Sequence, residues 1–285
     1  MSLLFRTVRS PSLQLARSLS QRQVLDPSYV MPDGRVLSIQ RAEESDLNLL
    51  FKFFKENFSV QEPLSRYLGI KYEDFGILFY GPVFKRALEC GLSTMAFDGD
   101  ELVAVSTITV NDVIREKVDF GKTEFGKEFD ENMKKFGITR STSYIYTLLI
   151  HAEEISAAIL PENVKHIVRS EAGSVCPSHR GGDVRRKLAI ETSKLAEAEG
   201  LEVMDAICSA TASTKVMGDL GLVTKFPILY NSITDYGKQI IPTPLHDNNT
   251  SFNVMQGSIK EIARLQAPKP ETCEKYERRK RAATA

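Results

Sequence analysis

The chain has 285 residues, of which 42% are hydrophobic and 26% charged, enough for one large globular unit or two small ones. Lys plus Arg equals Asp plus Glu at 37 each, so the formal net charge is zero. That balance argues against a broad basic field for nucleic acid or a membrane surface, although local basic patches remain open. No apolar run reaches the ~18–20 residues needed to span a bilayer. The four cysteines (Cys90, Cys176, Cys208 and Cys273) form no CxxC pair and no metal spacing, so they read as free thiols in a reducing compartment. The four histidines (151, 166, 179 and 246) form no HxxxH or HxE pattern, which argues against a metal centre.

Residues 1–23 stand apart. They contain Arg6, Arg9, Arg17 and Arg22, several serines and no acidic residue. Leu4, Val8, Leu15 and Leu19 fall within one arc of a helical wheel, with the arginines opposite and Pro11 interrupting. This is the pattern of a mitochondrial presequence processed near residue 20, and it implies a matrix location; the plainer alternative is a disordered basic tail.

Short strands and helices then alternate. Arg35 to Arg41 reads as a strand, and Glu43 to Asp46 supplies a cap and acids for a helix carrying Leu47, Leu50, Phe51 and Phe54. A proline-containing turn leads into a second short helix ending near Leu68. The aromatic-rich segment 72–90 is expected to break at Gly81-Pro82. Ser93 to Phe97 and Leu102 to Val110 form a hairpin about Asp98-Gly99-Asp100. Residues 114–142 are charged and interrupted by glycines, the mark of an excursion beside the core, and Ser143 to Leu160 is helical.

Lys165 to Gly200 is the organising stretch. A strand over His166 to Val175 runs through Ser178-His179-Arg180-Gly181-Gly182 into a long helix, leaving unpaired N–H groups where the helix dipole favours an anion. An ordinary β-to-α connection is the plain alternative. A strand Glu202 to Cys208, a helix Thr211 to Leu220, a strand Val223 to Ile233 and a last strand at Phe252 to Met255 follow. The expected domain covers residues 33–266, with a mobile charged tail over 267–285.

This order of elements resembles the GCN5-related N-acetyltransferase superfamily, and most closely the invertebrate arylalkylamine N-acetyltransferase-like branch. The resemblance covers roughly Arg35 to Asp235 and rests on Phe54 to Leu68, Val175 to Leu188 and Cys208 to Leu222. It implies a mixed α/β, three-layer fold: a central, mostly antiparallel twisted sheet flanked by helices. The family's diphosphate-loop pattern falls on Arg180, Gly181, Gly182, Asp183, Val184 and Arg185, which the resemblance makes the coenzyme A site, with backbone donors near Val175 polarising the thioester. Asp183 and Arg185 stand where the family has small residues. Asp183 puts a carboxylate near a diphosphate, and Arg185 and Arg186 offset it if they turn toward the loop.

The same resemblance makes Glu62, in Glu62-Pro63-Leu64, the base for the acceptor amine, and assigns catalytic roles to Ser209 and Ser213. Local physics offers other roles: Glu62 as a first-turn acid before Pro63, and the serines as helix caps. Met217 stands where many family members carry a tyrosine. Cys176 and His179 suggest a covalent route for which nothing supplies the remaining geometry. Phe54, Phe58, Tyr67, Phe75, Phe79 and Tyr80 are either an acceptor pocket or core. The chain therefore reads as an acyl-CoA-dependent N-acyltransferase using acetyl-CoA and a small primary amine in a ternary complex, without a metal. The alternatives are a coenzyme A-binding scaffold that has lost turnover, and an acyltransferase acting on a protein amine.

Overall fold

The computed structural model describes residues 22–58, 61–76 and 81–284. The expected presequence lies outside these residues apart from Arg22 and Gln23. Arg22 pairs with Asp46 at 2.7 Å and the Gln23 carbonyl accepts from Arg41 N–H, so both belong to the folded body.

In chain order the elements begin with β1 (Val24–Val30) and β2 (Val36–Arg41). A 3-10 turn capped by Glu43 leads into α1 (Leu47–Asn57), followed by α2 (Pro63–Leu68), α3 (Tyr72–Phe75) and α4 (Gly81–Glu89). The hairpin β3 (Thr94–Asp98) and β4 (Glu101–Asp112) comes next, then α5 (Gly126–Phe136) and α6 (Arg140–Ala158). The organising stretch forms β5 (His166–Val175) and α7 (Val184–Ala198). After it come β6 (Val203–Cys208), α8 (Thr211–Asp219), β7 (Val223–Leu229), the small hairpin β8 (Thr234–Asp235) and β9 (Lys238–Gln239), β10 (Ser251–Ser258), α9 (Ile259–Ala263) and α10 (Pro270–Thr284).

Eight strands form one sheet in the order β1-β2-β3-β4-β5-β6-β10-β7. Every pairing is antiparallel except β5 with β6. Consecutive residues of a strand face opposite sides of its sheet. Val254 and Met255 accordingly enter two different apolar clusters. Val254 joins Leu50, Phe84, Phe129 and Leu148 from α1, α4, α5 and α6, while Met255 joins Ala189, Met217 and Ile262 from α7, α8 and α9. Helices thus cover both faces, and the core divides into two layers with the sheet between them.

Two elements depart from the expectations. β1 lies before residue 33, where the domain was expected to start. Its Asp26 and Pro27 break the alternation in the sequence, but on an edge strand a proline costs no ladder bond, and Tyr29 alone of the strand is fully buried. The segment expected as a charged tail from 267 forms α10.

Candidate active site

The site lies where β5 and β6 part. Their parallel pairing holds only at Val168–Met204, Arg169–Asp205 and Ser170–Ala206. Beyond Ser170, β5 stays with β4 as far as Val175–Ala104, and β6 stays with β10 as far as Cys208–Asn253. A fork opens between them, with Val175 at the end of one arm and Cys208–Ser209 at the end of the other. Cys176 N–H donates to the Val103 carbonyl at 2.8 Å, toward β4. Alternation along an antiparallel strand then turns the Val175 backbone groups into the fork, where its carbonyl accepts from Arg180 Nε at 3.2 Å.

From Val175 the chain crosses a 3-10 turn at Pro177–His179 and reaches the loop Arg180–Gly182 before α7. Gly181 has φ +81°, a left-handed conformation that a side chain would strain. A methyl on Gly182 would overlap Met31 Cε, and the Gly182 carbonyl accepts from the buried Tyr29 hydroxyl at 2.7 Å, so β1 clamps the loop from outside. Asp183 is the helix N-cap residue at φ 57° and makes no side-chain cap. Lys187 N–H donates to the Asp183 carbonyl at 2.9 Å, which places the N–H groups of Val184, Arg185 and Arg186 in the uncapped first turn.

At the fork mouth the structure brings together Glu62 and Ser209. Glu62 caps α2, its carboxylate accepting from Leu64 N–H at 3.2 Å and Ser65 N–H at 2.6 Å, with Pro63 filling the first helical position. Ser209 Oγ donates to Glu62 Oε1 at 2.8 Å. A carboxylate has about four acceptor positions, and three are used. One is left for a further donor. The side chain that caps α2 therefore keeps one acceptor position to spare.

Ser209 is held by residues the sequence did not bring forward. Tyr230, fully buried, donates its hydroxyl to the Ser209 carbonyl at 3.0 Å. Asn249 Nδ2 donates to that carbonyl at 2.7 Å and to Tyr230 Oη at 3.2 Å. Burial, and then the nearby Glu62 charge, raise the Tyr230 phenol well above its ordinary range, so the ring serves as a neutral donor. A tyrosine closing a strand and an asparagine in a loop carry no sequence signal for this role.

The other candidates are placed as follows. Ser213 does not meet Glu62; its hydroxyl donates to the Ala210 carbonyl at 2.8 Å in the first turn of α8. Met217 is buried in the core. His179 is buried with both ring nitrogens engaged, one with Asp98 at 3.1 Å and the other with Ser178 at 2.9 Å, so it offers no base to Cys176, whose thiol burial pushes up. Phe54 is core, its ring tilted 45° against that of Phe84 with centroids 4.6 Å apart. Phe58 packs edge-on against Phe54. Tyr67 is exposed and lines a hollow of about 300 Å³ between α2 and Pro242–His246. The Phe75 side chain, and Phe79 and Tyr80 altogether, lie outside the described residues.

Beside the loop is a cleft of about 1140 Å³. Its lining includes six cations (Arg180, Arg186, Lys215, Lys269, Lys275 and Arg279) against four carboxylates. The backbone donors, the glycine turn and this excess of positive charge fit a phosphorylated ligand. The Asp183 carboxylate is engaged elsewhere: it accepts from Lys269 N–H at 2.8 Å and Thr272 Oγ1 at 2.9 Å. Arg185 does not turn toward the loop. Its guanidinium crosses the sheet face and donates to Ser106 Oγ at 2.7 Å and Ser170 Oγ at 2.8 Å, beside Gly173 near the apex of the fork. Burial pushes it down to about 10. Arg186 donates to the Gln266 and Asp219 carbonyls and so ties α7 to the segments on either side.

No protein-family model matches this sequence, and no curated protein matches it. Solved structures do. Arylalkylamine N-acetyltransferase 2 from Aedes aegypti is similar at 17% identity and a TM-score of 0.59, covering 78% of this chain and 99% of that one. The Drosophila melanogaster polyamine N-acetyltransferase, which catalyses formation of N-acetylagmatine, matches at 15% identity, TM-score 0.59 and the same coverage. The C-terminal condensation domain of Ebony, solved in complex with β-alanyl-dopamine, matches at 12% identity, TM-score 0.59, 78% of this chain and 98% of that chain. The chain has the GCN5-related N-acetyltransferase fold, a mixed α/β architecture with a mostly antiparallel sheet flanked by helices.

Proposed function

We propose that this chain is an acyl-CoA-dependent N-acyltransferase that transfers acetyl from acetyl-CoA to a small primary amine by direct attack in a ternary complex. The observation that carries this reading is the hydrogen-bonded pair Glu62–Ser209 at the mouth of a fork whose other arm leads into an uncapped, glycine-bearing helix start. In the proposed reaction the loop from Arg180 to Arg185 holds the diphosphate of coenzyme A through backbone N–H groups. Backbone donors of β5 near Val175 polarise the thioester carbonyl. Glu62 takes the proton of the amine, directly or through one water, as nitrogen attacks the carbonyl carbon. The carbon–sulfur bond then breaks, and the proton taken by Glu62 passes through water to the leaving thiolate, which departs as the thiol. Ser209 holds Glu62 in place, and Tyr230 with Asn249 holds Ser209. Ser213, whose hydroxyl is spent on the Ala210 carbonyl of its own turn, takes no part in the proton transfer.

Calorimetric titration of acetyl-CoA tests the loop, and an amine panel with detection of free thiol tests turnover. Absence of binding removes the proposal. Binding without turnover selects a second reading, a coenzyme A-binding protein that does not catalyse. The position of Arg185 favours that second reading, because its side chain fills space at the fork where the family carries a small residue. We also propose import into the mitochondrial matrix, on the arginine-rich, acid-free residues 1–21. Arg22 and Gln23 are fastened to the body, so processing near residue 20 leaves it intact. A fusion of residues 1–30 to a fluorescent protein tests this, and a diffuse cytosolic signal counts against it.

A further inference from the structure

The last segment of the chain has the composition of a solvated tail but forms a 15-residue helix along one side of the large cleft. Its sequence, PETCEKYERRKRAAT, contains no Leu, Ile, Val, Met or Phe, so no apolar stripe accounts for its position. It is held at its start. Lys269 N–H and Thr272 Oγ1 both donate to Asp183 Oδ2, and Lys269 Nζ pairs with Asp219 at 3.0 Å. Past that anchor, Lys275 and Arg279 line the cleft four residues apart, on one face of the helix. Both are exposed, and neither has an ion-pair partner among the described residues.

Two unpaired cations facing a cavity that already contains an anion-binding turn call for a second anionic group at some distance from the first. At 1.5 Å per residue, Lys275 and Arg279 lie about 5 and 10 Å along the helix from Thr272. That is the scale on which a ribose separates a 5′-diphosphate from a 3′-phosphate. Resting on the reading above, we propose that α10 is a wall of the nucleotide site and that Lys275 and Arg279 bind the 3′-phosphate of coenzyme A. Asp183 gains a role in this arrangement. A carboxylate at a diphosphate loop is unfavourable as a ligand contact, but here it anchors the wall that carries the cations.

The test compares coenzyme A with its 3′-dephospho form, by calorimetry on the full chain. The wild-type chain should prefer coenzyme A by about tenfold, as expected for charge-assisted bonds to a phosphate. In the K275A/R279A double variant, whose fold is checked by circular dichroism, that ratio should fall to near one. A chain ending at residue 267 should lose the preference in the same way. Equal affinities in the wild-type chain, a ratio retained in the double variant, or tighter coenzyme A binding after truncation would each overturn the proposal while leaving the acyltransferase reading standing. Failure of the wild-type chain to bind either compound removes both.

Discussion

Ser209 Oγ donates to Glu62 Oε1 at 2.8 Å, joining residues 147 positions apart in the sequence. This bond closes the site between α2 and β6, and the base role makes a direct demand on it. Glu62→Gln should lower kcat/KM for the amine by about 10²–10⁴-fold, the usual worth of a positioned base. The amide oxygen can still cap α2, so thermal stability should change little. Free-thiol release across pH checks it; unchanged kcat/KM at every pH would remove Glu62 from the chemistry.

Ser209→Ala should lower kcat by about tenfold through loss of a positioning bond, with a smaller change in KM. Because Ser209 acts through Glu62, the two substitutions should be strongly non-additive in a double-mutant cycle. Tyr230→Phe tests the next link: it leaves the Ser209 carbonyl without its 3.0 Å donor, and should lower kcat while Asn249 retains the remaining contact.

A methyl at Gly173 would overlap Arg185 Nε and push the guanidinium off Ser106 and Ser170. Gly173→Ala should destabilise the fold by about 1–3 kcal/mol, as overpacking does. Thermal melts should show it as a Tm drop. Arg185→Ala in the same background relieves the overlap and should recover part of that loss, which ties the effect to this contact.

Stability should also respond to pH through Glu153. Arg169 is shared between Glu153 at 2.9 Å and Asp205 at 2.7 Å. Burial, opposed by the Arg169 charge and reinforced by Glu171 and Asp205, pushes Glu153 up to about 7 from 4.5. A carboxyl with the higher value in the folded state binds more protons folded than unfolded. Its contribution is therefore fully present at acidic pH and is lost as pH rises through about 4.5 to 7. Glu153→Gln should flatten this part of the Tm-against-pH curve; an unchanged slope would show that the group does not titrate there.

The strands of the sheet interior were legible because buried runs alternate or cluster where turn residues bound them; β5 spans His166–Val175 as read. The loop and Glu62-Pro63 were legible because backbone needs, a glycine turn and a proline at the first helical position, leave marks in single residues. The rest depended on partners distant in sequence. β1 was hidden by Asp26 and Pro27, which only its edge position tolerates. α10 was hidden because a polar helix shows no periodic stripe, and its anchor is a carboxylate 86 residues away. Tyr230 and Asn249 act through one carbonyl of Ser209, a contact no local pattern encodes.

The short parallel seam between β5 and β6 has a consequence for how the molecule is partitioned. On one side stand β1 to β5, drawn from residues before 176; on the other stand β6, β7 and β10, drawn from residues after 202. Three residue pairs join these leaves within the sheet, and α7 bridges them in sequence. The two arms of the fork therefore belong to two consecutive blocks of chain. A break at the exposed Gly200 turn would divide the protein along the fork, and complementation of two such fragments would restore the sheet and the fork together.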